Sequence, residues 1–387
     1  MKILMLNNEY PPFGGGTGIV NQEIIERLKN HSEFQIDLLT GNLDKHDSFL
    51  QLSPNVRIIR LGLNRKNIHH ASHFELIRYA LKAFIKANKL HRTENYDFSF
   101  GWSTIPAGVV SYLLFKLYKL PYLIRIGGTD IPGYEARYKT IYKIITPLIK
   151  RIWKRADLLI SKCIREKGMV AAINPYLKIK IIGNGIDPEQ FKPISKVKNK
   201  QLTLICPARL IKLKSQDLLI KAVARLKEKG IFLNLNLVGY GDEMENYTRL
   251  AQQLGVTKQV NYTGYVKRDQ MITEYNRADI LVMPSQNEGM SNALIEGMAC
   301  GLPVLVSDVG GTEELVTNGE NGYIFPVGDF EKLCNLLLEM VKSPERLKEM
   351  GEKSREIVIK LNWDNILYEY KTIFHNSFNN IKKQANL

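Results

Sequence analysis

The sequence predicts an α/β protein of two doubly wound, Rossmann-like domains facing across a cleft. Three observations carry that expectation. The chain, at 387 residues, is long for one hydrophobic core. Short apolar runs of strand length alternate with segments of helical periodicity, the pattern of a parallel sheet covered on both faces. After a polar, lysine-rich stretch from Pro193 to Gln201, the alternation begins again.

The first series opens with the apolar run Lys2–Leu6. The turn-rich Pro11-Pro12-Phe13-Gly14-Gly15-Gly16-Thr17-Gly18 follows, and then Ile19, Val20, Ile24, Ile25 and Leu28 at helical spacing. That is strand, glycine loop, helix. Further apolar strands are expected at 36–40, 56–59, 122–126, 158–160 and 179–182. The second series runs strand 202–205, helix 215–229, strand 232–238, helix 244–254, strand 260–263, helix 271–275, strand 280–283, helix 292–300 and strand 304–306. Helical patterning returns after Asn362 with Trp363, Ile366, Leu367, Tyr370 and Ile373. The expected domains are therefore 1–190 and 191–362, with a closing helix over 363–387.

The composition, 44% hydrophobic and 24% charged, is that of an ordinary globular chain and excludes fibrous or disordered classes. No run of about 18 apolar residues and no signal-like start is present, so a cytoplasmic protein is expected. Cys163, Cys206, Cys300 and Cys334 are scattered without metal-ligand spacing and read as reduced thiols. The formal charge of +15 is uneven: residues 1–190 carry 28 Lys/Arg against 16 Asp/Glu. The first domain is expected to meet something anionic. No helix-turn-helix or aromatic-rich strand accompanies the charge, so no nucleic acid partner is expected.

Residues 137–155 hold seven Lys/Arg and no acid, with Ile141, Ile144, Ile145, Leu148 and Ile152 on one helical face. Two readings stand: a helix lying on an anionic membrane surface, or a core-facing helix with a solvated basic side and a bend near Pro147.

The residues that carry chemistry are concentrated in the second series. Glu288-Gly289-Met290-Ser291-Asn292-Ala293-Leu294-Ile295-Glu296 follows a strand and opens a helix. Ser291 or Asn292 suits an N-cap, and the helix start favours a phosphate. Gly289 and Ala293 let a ligand approach the backbone. Glu296 stands one turn inside, where a carboxylate suits vicinal ribose hydroxyls. Glu288 sits in the loop, free to face a sugar. Arg209 and Lys214 lie just after the strand that opens the second series, as fixed cations for a leaving diphosphate. No D-x-D is present, so neither a divalent metal nor a cofactor is expected. Each glutamate taken singly reads equally as a solvated acid, and the loop glycines as tight turns; the constellation favours the site.

These elements together resemble the retaining glycosyltransferases of family 4, with the two-domain GT-B fold. The resemblance spans almost the whole chain. It rests on the Pro-Pro-x-Gly-Gly loop, Asn184-Gly185-Ile186-Asp187, Arg209 with Lys214, Gly239-x-Gly241, Gly264-Tyr265-Val266, and the E-x₇-E of Glu288 and Glu296 followed by Gly301-Leu302-Pro303-Val304. It implies a nucleotide-diphosphate sugar, with UDP or GDP, as co-substrate and a glycan, lipid-linked (polyprenyl) or small-molecule acceptor, in polysaccharide or glycoconjugate synthesis. Arg209 and Lys214 would hold the diphosphate, Glu296 the ribose and the backbone near Tyr265 the base. Glu288, with the amides of Gly289, Met290, Ser291, Asn292 and Ala293, would hold the transferred sugar. Gly15, Gly16, Gly127 and Asp130 would complete the site from the first domain, and the last helix would cross back to that domain.

One departure is plain. Where the family carries histidine in His-Gly-x-Asp, this chain has Gly127-Gly128-Thr129-Asp130, leaving Arg125 or Asp130 to take over that contact. A second reading, a nucleotide-sugar epimerase or isomerase of similar architecture, would consume donor without acceptor. A dinucleotide dehydrogenase is disfavoured because no G-x-G-x-x-G opens either series.

Overall fold

The computed structural model describes residues 1–12, 14–65, 71–194 and 201–385, so most of the lysine-rich stretch at 193–201 lies outside the described residues. The chain forms two compact units, Met1–Gly183 with Trp363–Leu387, and Asn184–Asn362.

The first unit is built on β1 (Lys2–Leu6), β2 (Gln35–Asn42), β3 (Ser48–Ser53), β4 (Val56–Gly62), β5 (Phe98–Gly101), β6 (Tyr122–Arg125), β7 (Leu158–Ser161) and β8 (Ile179–Ile181). They lie in the order β3-β4-β2-β1-β5-β6-β7-β8. All neighbours are parallel except β3, which runs antiparallel to β4. Central strands covered on both faces need continuous rather than alternating apolarity, and Ile3, Leu4, Met5 and Leu6 are wholly buried. The strand order reverses between β1 and β5, which places the glycine loop after β1 at the topological switch point of this sheet.

Its helices are α1 (Gly16–Leu28), α2 (His73–Glu94), α3 (Val109–Tyr118), α4 (Lys139–Arg155) and α5 (Ile164–Ile173). A capping box starts α2: Ser72 Oγ accepts from Glu75 N, and Glu75 Oε2 accepts from Ser72 N. In α4 the expected single apolar face divides. Ile149, Ile152, Trp153 and Tyr142 are buried against the sheet, while Ile144 is 76% exposed. One side of the helix packs on the core, and Ile144 and Leu148 stay exposed among the lysines.

The second unit repeats the plan with β9 (Thr203–Pro207), β10 (Asn234–Val238), β11 (Val260–Gly264), β12 (Ile280–Met283), β13 (Val304–Ser307) and β14 (Gly322–Phe325), all parallel, in the order β11-β10-β9-β12-β13-β14. Helices α6 (Gln216–Glu228), α7 (Met244–Gln253), α8 (Met271–Arg277), α9 (Asn292–Ala299), α10 (Thr312–Leu315), α11 (Phe330–Val341) and α12 (Pro344–Val358) accompany it. Leu204, Leu235, Val282 and Leu305 pack with one set of helices, and Ile205, Leu281, Val304 and Val306 with another, so every central strand is sealed on both faces. Here the order reverses between β9 and β12. A doubly wound sheet opens a ligand crevice at the carboxyl ends of such a strand pair.

The last helix, α13 (Trp363–Ala385), belongs to the first unit. Tyr370 and Phe374 are buried within an aromatic cluster with Phe34, Phe98, Phe100 and Trp102.

Candidate functional site

At the β9 end, the chain leaves the sheet through Ala208 and Arg209. Gly239 and Gly241 make this path available. A Cβ on Gly239 would lie 2.1 Å from the Ala208 carbonyl oxygen, and one on Gly241 would lie 2.2 Å from that of Leu210. Ala208 N donates to Val238 O and Leu210 N to Tyr240 O, while Gly239 N donates to Gly264 O. The loops after β9, β10 and β11 are thus laced together by backbone. Arg209 and Tyr265 are exposed on them, Tyr265 by 70%. Gly239 and Gly241 thus serve close packing of these loops.

At the β12 end, Glu288 is brought to the β9 loop. Its carboxylate accepts from Lys214 Nζ, in an ion pair whose side chains are about 15% exposed, and from Ser285 Oγ at 2.8 Å. The chain then turns into α9, with Ser291 as N-cap and its Oγ accepting from Leu294 N. The first-turn amides of a helix have no intrahelical acceptor, and the dipole behind them favours an anion. Asn184 fixes this turn, donating through Nδ2 to Met290 O at 2.8 Å and to Asn292 Oδ1 at 2.7 Å. Met290 is largely buried. A pocket beside the turn is lined by Glu288, Gly289, Ser291, Gly311 and Thr312.

Gly310, after β13, closes this side. Its φ of +51° puts it in the left-handed region, and an added Cβ would stand 2.2 Å from the carbonyl oxygens of both Glu288 and Gly289. Gly311 N donates to Gly289 O. Gly310 and Gly311, shortly after the end of β13, are a sequence signal of close backbone approach that the site read from the sequence did not include.

Glu296 stands on the second turn of α9, as the spacing required, and is 7% exposed. It accepts from Arg268 Nε at 2.9 Å and from Tyr275 Oη at 3.0 Å. Burial, reinforced by the Glu296 charge, drives the Tyr275 phenol well above its usual range, so it stays protonated and donates. Neither partner was foreseen; Arg268 follows Gly264-Tyr265-Val266-Lys267 on the loop after β11.

In the first unit, Gly15 caps α1 and its N donates to Glu9 Oε2 at 2.9 Å; Gly16 is the first helical residue. A Cβ on Gly15 would meet only that oxygen, at 3.8 Å, so the backbone stays accessible here. Gly127 is half-buried. The two side chains offered in place of the family histidine are engaged elsewhere. Arg125 is 1% exposed; its Nε donates to Tyr370 Oη at 2.9 Å and its guanidinium stands 5.4 Å from the Trp102 ring. Asp130 is buried and braces the loop, accepting from the backbone N of Thr104 and Gly127 at 2.8 Å and of Ile105 at 3.3 Å. Burial pushes its carboxyl up to about 6, against the pull of those donors and of Lys162.

Residues 187–357 match the family model described as glycosyl transferases group 1. The comparisons support a glycosyltransferase. An uncharacterized glycosyltransferase of Methanocaldococcus jannaschii is 25% identical over 378 residues, covering 97% of this chain and 98% of its own. Among solved structures, sucrose-phosphate synthase from Thermosynechococcus elongatus superposes with a TM-score of 0.86 at 21% identity, over 98% of this chain and 99% of that one. The Anabaena protein HepE in complex with UDP-glucose gives 0.72 at 18% identity, over 97% and 100%. At these identities the likeness establishes the fold, which is that of the GT-B glycosyltransferases. The structure brings Lys214, Glu288, Gly289 and Ser291 together at the switch point. It seats Glu296 on Arg268 and Tyr275, and leaves Arg209 and Tyr265 exposed on the adjoining loops.

Proposed function

We propose that the chain transfers a sugar, with retention of configuration, from a nucleotide-diphosphate donor held by the second unit to an acceptor hydroxyl. The observation that carries this reading is the meeting of Lys214, Glu288 and the start of α9 at the β9/β12 switch point. Such a site offers a cation, a carboxylate and a helix dipole to one small ligand, which matches a sugar joined to a diphosphate.

In this reading Arg209 and Lys214 hold the diphosphate, Glu296 the ribose hydroxyls and the backbone at Tyr265 the base, with Gly239 keeping the loops close enough to do so. Glu288 and the turn from Gly289 through Met290, Ser291 and Asn292 to Ala293 hold the sugar. As the bond from the anomeric carbon to phosphate breaks, negative charge builds on the leaving oxygen. Fixed cations and the helix dipole offset it without a divalent ion. The acceptor oxygen forms the new bond on the same face, and its proton passes to the departing phosphate, so no protein nucleophile is required. Gly15 and Gly16, at the exposed start of α1, and Gly127 would face the acceptor side, with Asp130 bracing the loop that carries Gly127.

The acceptor classes we favour are a glycan, a lipid-linked sugar or a small hydroxylated molecule, as in polysaccharide or glycoconjugate synthesis. The four cysteines, all buried, suit a reducing, cytoplasmic setting. Because a structural relative was solved with UDP-glucose, UDP-sugars are the first donors to test, then GDP-sugars. The experiment is a thermal-shift screen of nucleotide sugars followed by a transfer assay in EDTA. Stabilisation by one donor class and transfer surviving chelation are expected. Turnover that requires added Mg²⁺ would overturn metal independence, and epimerised donor without an acceptor would overturn transfer.

A further inference from the structure

Helix α2 carries an apolar stripe on its outer side. Phe74, Ile77, Leu81 and Ile85, at steps of three, four and four, are 60–73% exposed, while Tyr79, Ala83 and Ala87 on the opposite side are buried in the core. A helix on a soluble domain normally turns polar residues outward. The stripe does not stand alone. Helix α3, packed beside α2, exposes Leu113 and Leu117, and α4, packed beside α3, exposes Ile144 and Leu148. The starts of α2 and α4 meet as well, with the rings of His73 and Tyr138 in edge contact at 6.2 Å. Three neighbouring helices therefore share one apolar outer face.

The charge around this face is predominantly positive, with Glu75 of α2 an acid beside Phe74. Helices α3 and α4 contain no acidic residue. Lys116 and Lys119 stand exposed at the end of α3, and Lys139, Lys143 and Lys150 along α4. This surface accounts for much of the positive excess of the first 190 residues. No described helix is long and apolar enough to cross a membrane. Exposed aliphatic and aromatic side chains bordered by lysines are the composition of a surface that lies in a lipid interface, with the apolar groups entering the acyl boundary and the ammonium groups meeting anionic headgroups.

We propose that the α2–α3–α4 face of the first unit docks on an anionic lipid bilayer, with Phe74, Ile77, Leu81 and Ile85 as the inserting edge. Charge complementarity selects this occupant over a second copy of the chain, because two copies joined through this face would bring their lysines together. The inference is independent of the sugar-transfer reading.

The test is co-sedimentation of the full chain with vesicles of phosphatidylglycerol and phosphatidylcholine, and with phosphatidylcholine alone. Binding to the anionic vesicles, at least tenfold stronger than to the neutral ones and falling as salt is raised, is expected. The exposed-site variant Ile77→Asp/Leu81→Asp should lose at least tenfold in partitioning, with unchanged circular dichroism and melting temperature. Lys139→Glu/Lys143→Glu should lose binding mainly at low salt. Absence of vesicle binding, or equal binding by Ile77→Asp/Leu81→Asp, would overturn the proposal. So would a concentration-dependent dimer in light scattering that the same variant dissolves, since the face would then belong to a second copy.

Discussion

Lys214 Nζ forms an ion pair with the Glu288 carboxylate across 74 positions of sequence, joining the loop after β9 to the loop after β12. In the proposed site these two groups have different ligands, the diphosphate and the sugar. Donor binding must then pull the cation toward phosphate while the carboxylate turns to sugar hydroxyls. Glu288→Gln removes the competitor for Lys214. We expect this variant to bind a nucleoside diphosphate at least as tightly as the parent, while transfer falls by roughly 10²-fold or more, as when a transition-state contact is lost. Calorimetry with the diphosphate and a transfer assay check both halves. A Glu288→Gln chain that binds the diphosphate more weakly would contradict the assignment.

Glu296 is held from behind by Arg268 and Tyr275, which fixes the carboxylate before any ligand arrives. Glu296→Ala should weaken nucleoside diphosphate binding by roughly 1–3 kcal/mol, the usual loss for hydrogen bonds at a desolvated site. Tyr275→Phe leaves the carboxylate in place with one restraint fewer and should lose less. Calorimetry on the two variants should give that order; equal affinities for parent and Glu296→Ala would remove the ribose role.

Gly310 allows the loop after β13 to lie on Glu288 and Gly289. Gly310→Ala adds a Cβ at 2.2 Å from two carbonyl oxygens at a φ of +51°, and should cost about 1–3 kcal/mol of stability with a loss of donor affinity. Gly328 is a matched control, since its φ is +78° but nothing lies within 4 Å of the added atom. Denaturant melts should show Gly328→Ala paying only for its backbone angle, and donor binding should survive there. Equal effects of the two substitutions would show that the contact with Glu288 is unimportant.

Asp130 gives a pH signature. Burial moves its carboxyl from 3.8 up to about 6. Between those values the folded chain binds more protons than the unfolded chain. Its contribution to stability is therefore full below about pH 4 and is lost as the pH rises through about 6. Asp130→Asn should remove that component, flattening the change of melting temperature with pH between 4 and 6. An unaltered slope would show that this carboxyl does not titrate there.

The sequence carried the second unit more fully than the first, for a physical reason. Parallel strands of four to five apolar residues separated by helices leave a regular record, and β9 through β13 fall within a residue or two of their expected places. Ser291 as cap, Glu296 one turn on and Lys214 at the same strand-end face follow from that regularity, whereas the ion pair of Lys214 with Glu288 does not. Short or edge elements leave less. β5 is only Phe98-Ser99-Phe100-Gly101, and β3 is an exposed antiparallel edge strand. α2 is apolar on its outer as well as its inner side, so its periodicity does not say which side is the core. Long-range partners were invisible as well: nothing local in sequence ties Arg268 or Tyr275 to Glu296, or Arg125 to Tyr370. The α4 stripe read as one face, whereas packing buries Ile152 and exposes Ile144.

The most direct measurement of the central claim is a crystal structure of the chain soaked with a nucleoside diphosphate. We expect the phosphates within hydrogen-bond reach of Arg209 and Lys214 at the start of α9, with the ribose hydroxyls on Glu296. Phosphates bound away from Lys214 and α9, or a ribose that does not touch Glu296, would contradict it.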